Sequence, residues 1–73
     1  MIFEKIRKVI VDQLGVDEEE ISLQTSFQEL GVDSLDLFQI IIELEEAFNV
    51  RIEDAESIKT VEDAVNYIEA HAQ

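Results

Sequence analysis

The stretch Gly31-Val32-Asp33-Ser34-Leu35-Asp36 is where this chain could best support chemistry at a hydroxyl. Ser34 follows a helix-breaking glycine and opens a long apolar run, so its hydroxyl is expected in an exposed first helical turn. Backbone N–H groups there lack intrahelical partners, and the helix dipole makes that end electropositive. A phosphate attached at Ser34 would be stabilised by both. Against this, Asp33 and Asp36 would repel it. The same residue types also make an ordinary helix start, with Asp33 or Ser34 as N-cap. From the residues alone both readings stand.

Little else in the chain is suited to catalysis. It contains no Gly-rich phosphate loop and no G-x-S-x-G elbow. Segment 17–28 has no glycine at the sixth position that a calcium loop needs. His71 is the only histidine, and it is expected to be exposed in a frayed C-terminus. Cysteine is absent, which excludes disulfides and Cys-zinc sites. No catalytic residue and no metal ligand is assigned, and the chain is expected not to be an enzyme in its own right.

The elements that would position Ser34 are helical. Phe3, Ile6, Ile10 and Leu14 recur at helical spacing, and Gly15 follows as a stop, which predicts a first helix over about residues 2–14. A long connection, 15–33, carries Val16, Ile21, Leu23, Phe27 and Leu30, which should pin it to the core. Ser26 to Leu30 could add one helical turn, capped by Ser26 and closed by Gly31. The strongest helix is predicted at 34–49. Its Leu35, Leu37, Phe38, Ile40, Ile41, Ile42, Leu44 and Phe48 cover much of the circumference, which predicts a central helix with neighbours on several sides. Leu35, Phe38, Ile42, Leu44 and Phe48 are accordingly assigned to the core. A short turn is expected at 54–58, then a last helix capped by Thr60, with Asp63 three residues on, and Tyr67 over its edge. No segment alternates like a strand. The fold class is all-α: a small four-helix bundle with three main helices, a short third helix and a long first loop, in one domain spanning 1–73.

The charge narrows the partners. Of 73 residues, 18 are acidic and five basic, for a net charge of −13. Nucleic acid and anionic membrane surfaces would both be repelled. No apolar run approaches the about 20 residues of a membrane span. The acids cluster: 11 of them, and no Lys or Arg, lie between Val9 and Val50. On the central helix Asp36, Gln39, Glu43 and Glu46 recur as one polar stripe beside Ser34. Such a surface suits steering towards a basic partner. Glu18-Glu19-Glu20 reads as solvated loop.

At this point the chain resembles a known family. Gly31-Val32-Asp33-Ser34-Leu35-Asp36, followed by an apolar helix ending Glu43-Leu44-Glu45-Glu46-Ala47-Phe48, is similar to the acyl carrier proteins of bacterial type II fatty acid synthesis. The resemblance covers the whole chain. Leu14-Gly15-Val16, Thr25-Ser26-Phe27, Glu29-Leu30-Gly31, Lys59-Thr60-Val61 and Tyr67-Ile68 match the family's landmarks in order. The resemblance implies that Ser34, with Asp33 and Leu35 as motif neighbours, is the attachment point of 4′-phosphopantetheine, transferred from coenzyme A by a holo-carrier synthase. It implies acyl chains held as thioesters on that arm and shuttled between fatty acid synthesis enzymes. Asp36, Glu43 and Glu46 would face basic patches on those partners. It further implies a cytoplasmic monomer, without nucleic-acid binding or membrane insertion, whose helices can open to admit an acyl chain.

Three positions depart from the family pattern. Gln39 stands where many members carry an acid. Phe38 replaces a smaller aliphatic residue, which bears on the acyl cleft. Glu53 replaces a frequent proline in a segment about two residues shorter. The alternatives are a carrier for a polyketide, peptide or D-alanine pathway, and an unmodified acidic binding module.

Overall fold

A computed structural model describes residues 2–71 of the chain. Among these residues there are three α-helices, α1 (Ile2–Leu14), α2 (Ser34–Phe48) and α3 (Val61–His71), and no strand. Two single 3₁₀ turns, Glu18–Glu20 and Ala55–Ser57, interrupt the connections. The short third helix is thus a 3₁₀ turn.

Each helix follows from its stripe and its stops. Ile6 and Ile10 of α1 are fully buried, and α1 ends where Gly15 turns left-handed at φ +70°, its N–H donating to Val11 O at 2.8 Å. Nothing crowds a Cβ at Gly15, so the backbone angle is what favours glycine there. Helix α2 buries Ile40, Ile41 and Leu44. Its stop is Asn49, left-handed at φ 54°, a residue that tolerates this conformation better than most. Val61, Ala64 and Ile68 are the fully buried side of α3. Thr60 Oγ1 accepts the Asp63 N–H at 3.1 Å, while Asp63 Oδ2 accepts the N–H groups of Thr60 and Lys59, both at 3.0 Å. This is a capping box with aspartate in place of the usual Glu or Gln.

The long connection is pinned as its apolar residues predict. Ile21 and Phe27 enter the core, and among the described residues no polar side chain is buried with them. Backbone bonds fasten the connection to the start of α3: Phe27 N–H to Lys59 O, Val61 N–H to Thr25 O and Glu62 N–H to Leu23 O, each 3.0 Å. The last two satisfy donors that a helix start would otherwise leave unpaired. Ser26 and Thr60 form an isolated antiparallel bridge at the same place. The expected helical turn after Ser26 is present only as consecutive hydrogen-bonded turns. Ser26 Oγ accepts from Glu29 N–H at 3.0 Å, and Gly31 at φ +76° ends the run.

The central helix is α1, not α2. It packs against both other helices, whereas the backbones of α2 and α3 hardly approach one another. Leu44 is buried and Phe48 half-buried, but Leu35, Phe38 and Ile42, assigned to the core, are 80%, 57% and 47% exposed. The apolar arc of α2 is wider than its neighbours can cover. Ile40, Ile41 and Leu44 take the inward side, Leu37 and Phe48 pack half-buried against the core, and Leu35, Phe38 and Ile42 face out.

Candidate functional site

Ser34 is the first residue of α2 and is exposed. Asp33 precedes it in extended conformation, and its Oδ1 accepts the Asp36 N–H at 2.9 Å. Asp33 O takes the Leu37 N–H at 2.9 Å. Asp33 is therefore the cap, and Ser34 is not needed for capping. Among the described residues the donors left unpaired in this turn are the N–H groups of Ser34 and Leu35. A reachable hydroxyl thus sits on the electropositive end of a helix whose cap is supplied by its neighbour. That is a suitable seat for a phosphodiester.

Two hollows lie alongside. A small one of about 140 Å³ is lined by Ser34, Leu37, Phe38, Ala55 and Glu56. A larger groove of about 490 Å³ runs on between α2 and the segment after it, with Ile41, Ile42 and Ile52 among its apolar lining. Phe38, Ala55 and Glu56 belong to both linings.

The outward face of α2 carries the remaining features. At 3.6 residues per turn Asp36, Glu43 and Glu46 share one side, and Leu35, Phe38 and Ile42 share the adjoining one. Asp36 and Glu46 are exposed and Glu43 is half-buried. Beside Ser34 there is therefore an exposed apolar strip bordered by acids. Periodicity alone assigned that strip to the core.

Two further side chains act on the site through the loop after α2. Glu45 Oε2 accepts the N–H of buried Ile52 at 2.8 Å. Tyr67, from α3, donates its hydroxyl to Arg51 O at 2.9 Å. Both contacts hold the loop that walls the groove. Neither shows in the local pattern, because each joins residues from separate elements. His71 is exposed, but it is not frayed. It stands in the last turn of α3, with its ring stacked on Tyr67 at 4.0 Å between centroids and Nδ1 placed 2.8 Å from Tyr67 O. Among the described residues, no group of three His, Asp or Glu side chains is placed to hold a metal ion.

Comparison with known proteins bears on the family and the fold. Residues 4–68 match the family model described as a phosphopantetheine attachment site. The chain is 52% identical over 68 residues to a Lactococcus lactis protein named acyl carrier protein, covering 93% of each. It is 47% identical over 72 residues to the acyl carrier protein of Streptococcus pneumoniae, covering 99% of this chain and 97% of that one. Among solved structures, a candidate acyl carrier protein from Anaplasma phagocytophilum superposes with a TM-score of 0.84 at 31% identity, over 94% of this chain and 85% of that one. An apo doublet acyl carrier protein from prodigiosin biosynthesis gives a TM-score of 0.87 at 25% identity. This chain spans 36% of that doublet.

The chain belongs to the phosphopantetheine-attachment family of acyl carrier proteins. Its role is that of a phosphopantetheine-bearing acyl carrier, a carrier of acyl groups and not their catalyst. That role entails acyl chains as cargo and the enzymes of fatty acid synthesis as partners. No described helix is long and apolar enough to cross a membrane.

Proposed function

We propose that Ser34 Oγ is the atom that bears 4′-phosphopantetheine, and that the chain ferries fatty acyl intermediates between the enzymes of bacterial type II fatty acid synthesis. The observation that carries this is the placement of Ser34. It is an exposed hydroxyl on the first turn of α2, uncommitted to the cap, and it opens onto an apolar hollow. When bound, the arm supplies a thiol on which acyl groups are held as thioesters. This chain has no cysteine to compete with that thiol.

The chain's own residues do the rest. Asp33 fixes the turn on which Ser34 stands, and Leu35 presents apolar surface beside it. Asp36, Glu43 and Glu46 offer negative charge to basic patches on a holo-carrier synthase and on the elongating enzymes. Exposed ion pairs contribute about 0–1 kcal/mol each, so they accelerate capture without delaying release. A carrier that visits many enzymes needs both. The protein works as a single-domain monomer in the bacterial cytoplasm.

The test is intact mass after incubation with coenzyme A, magnesium and a phosphopantetheinyl transferase. The wild type gains the mass of the arm and Ser34→Ala gains nothing. A wild type left unmodified by a transferase that loads another carrier refutes the assignment. The alternative of an unmodified acidic module predicts that negative result.

A further inference from the structure

The five bases are not spread over the molecule. Lys5 Nζ lies 5.9 Å from the ring centroid of Phe48, the last residue of α2. The start of α1 therefore lies against the end of α2. Ser34 is at the other end of those 15 residues, about 21 Å away along the helix axis. That separation is most of the longest molecular dimension, 29 Å. Arg7 and Lys8 follow Lys5 within one helical turn. Arg51 follows Phe48 in the loop that Tyr67 grips through Arg51 O. Four of the five bases thus stand far from Ser34, and Lys5, Lys8 and Arg51 are exposed. Five of the 18 acids stand with them: Glu4, Glu45, Glu46, Glu53 and Glu69. Taking those five from 18 leaves 13 acids and one base, Lys59, for the rest of the chain. Asp33, Asp36 and Glu56 are among them, next to Ser34. The far end is close to neutral, and nearly all of the net charge of −13 lies elsewhere.

We infer that Lys5, Lys8 and Arg51 determine orientation: they keep basic partner enzymes from binding the carrier by its far end. This rests on the reading that Ser34 carries the arm. A basic enzyme surface is drawn to any cluster of exposed carboxylates. Without the three bases, Glu4, Glu45, Glu46, Glu53 and Glu69 would make the far end a second acidic patch. A carrier held there would block the enzyme, with its serine about 21 Å from the reacting groups. Like charges at the wrong contact exclude it, and specificity depends on such exclusion as much as on attraction at the right one. The three bases cannot serve capture, since they lower the attraction of the whole chain to a basic partner. Their value lies in the contacts that they prevent.

The experiment follows arm transfer from coenzyme A by a phosphopantetheinyl transferase with a basic docking surface, read by intact mass over a range of carrier concentration. Wild type is compared with Lys5→Gln/Lys8→Gln/Arg51→Gln, which is more acidic. Wrong-end binding lowers kcat and KM by the same factor and leaves kcat/KM unchanged, because it only sequesters enzyme that productive binding would otherwise use. At low salt both constants should fall about threefold or more, given three exposed charges of modest individual effect. The fall should vanish in about 0.5 M sodium chloride. Lys5→Arg/Lys8→Arg/Arg51→Lys keeps the charges and should match the wild type. Lys8→Gln/Arg51→Gln leaves Lys5 over Phe48 and should show a smaller fall of the same kind, which separates charge from loss of the ring contact. A KM that falls while kcat holds would mean that added charge only strengthens productive binding, and the inference fails. It fails equally if neither constant moves, or if kcat/KM drops. A wild type that takes no arm overturns the carrier assignment as well, whereas loading with any of these other patterns overturns this inference alone.

Discussion

Two aspartates hold the starts of two helices under different electrostatic conditions. Asp33 accepts one backbone N–H, from Asp36. Asp63 accepts two, from Lys59 and Thr60. Hydrogen bonds to a carboxylate favour its charged form, and these two backbone donors hold Asp63 below the ordinary carboxylate value of 3.8. A depressed folded value means that the unfolded chain binds the proton more tightly. The contribution of Asp63 is therefore complete well above 3.8 and is lost as the pH falls through the lower folded value. Asp63→Asn removes the charge and keeps a side-chain acceptor. Urea unfolding of both proteins from pH 7 to pH 2.5 should show the wild type more stable at neutral pH, with the gap closing below about pH 4. A gap that stays constant to the acid end would show that the charge of Asp63 contributes nothing. Ser34 sits in the opposite circumstance. Its neighbour caps the helix, so its hydroxyl can be modified without uncapping α2.

At the scale of elements, the loop after α2 is the part most dependent on single contacts. Glu45 reaches forward to Ile52 N–H, and Tyr67 reaches across from α3 to Arg51 O. Ile52 is buried, so removing its acceptor leaves a desolvated donor at a cost of about 1–3 kcal/mol. The Tyr67 bond is exposed, and losing it should cost about 0.5–1.5 kcal/mol. Native-state hydrogen exchange separates the two. In Glu45→Ala the Ile52 amide should exchange markedly faster, while the amides of Ile6 and Ile10 in α1 keep their protection relative to global stability. Tyr67→Phe should shift the loop less. Equal loss of protection at Ile52, Ile6 and Ile10 would mean that Glu45 acts on the whole fold and not on the loop. These contacts were not legible in the sequence because they are tertiary. Glu45 reads there as one more acid in a row, and Tyr67 as an edge residue. The helices themselves were legible, since Ile6–Ile10, Ile40–Leu44 and Ala64–Ile68 repeat at helical spacing, and Gly15, Asp33 and Thr60 mark their limits. The outer face of α2 was misread for a definite reason. Periodicity reports how much of a helix is apolar, but not which part meets a neighbour. Leu35, Phe38 and Ile42 exceed what α1 and the loops can cover, and their exposure beside Ser34 is what makes that face a candidate for both cargo and partners.

For the molecule as a whole, the net charge of −13 must be carried on principal dimensions of only 29 × 24 × 19 Å. Two of the five bases rest over aromatic rings: Lys5 lies 5.9 Å from the centroid of Phe48, and Arg7 lies 5.4 Å from that of Phe3. The 11 acids between Val9 and Val50 have no base among them in sequence, and none of these carboxylates is buried. A phosphodiester on Ser34 would add about one more negative charge. Self-repulsion of this kind destabilises the compact state, because unfolding moves the charges apart. Salt should relieve it. The screening length is about 30 Å at 0.01 M, which spans the molecule, and about 3 Å at 1 M, which leaves only adjacent charges in contact. Raising monovalent salt over that range should therefore raise the melting temperature, by about 4–8 °C for each kcal/mol relieved in a chain of this size. Sodium chloride is the salt to use, since sulfate also strengthens apolar burial. The control is a variant with Glu18, Glu19 and Glu20 replaced by Gln. These acids are exposed in a 3₁₀ turn remote in sequence from Ser34, so the variant relieves charge while leaving the outer face of α2 intact. It should melt higher than the wild type at low salt and converge with it at high salt. A melting temperature indifferent to salt, together with no gain from the three substitutions, would show that repulsion does not limit this fold. The acids of α2 would then be retained at no cost to stability, and their concentration beside Ser34 would reflect partner capture alone.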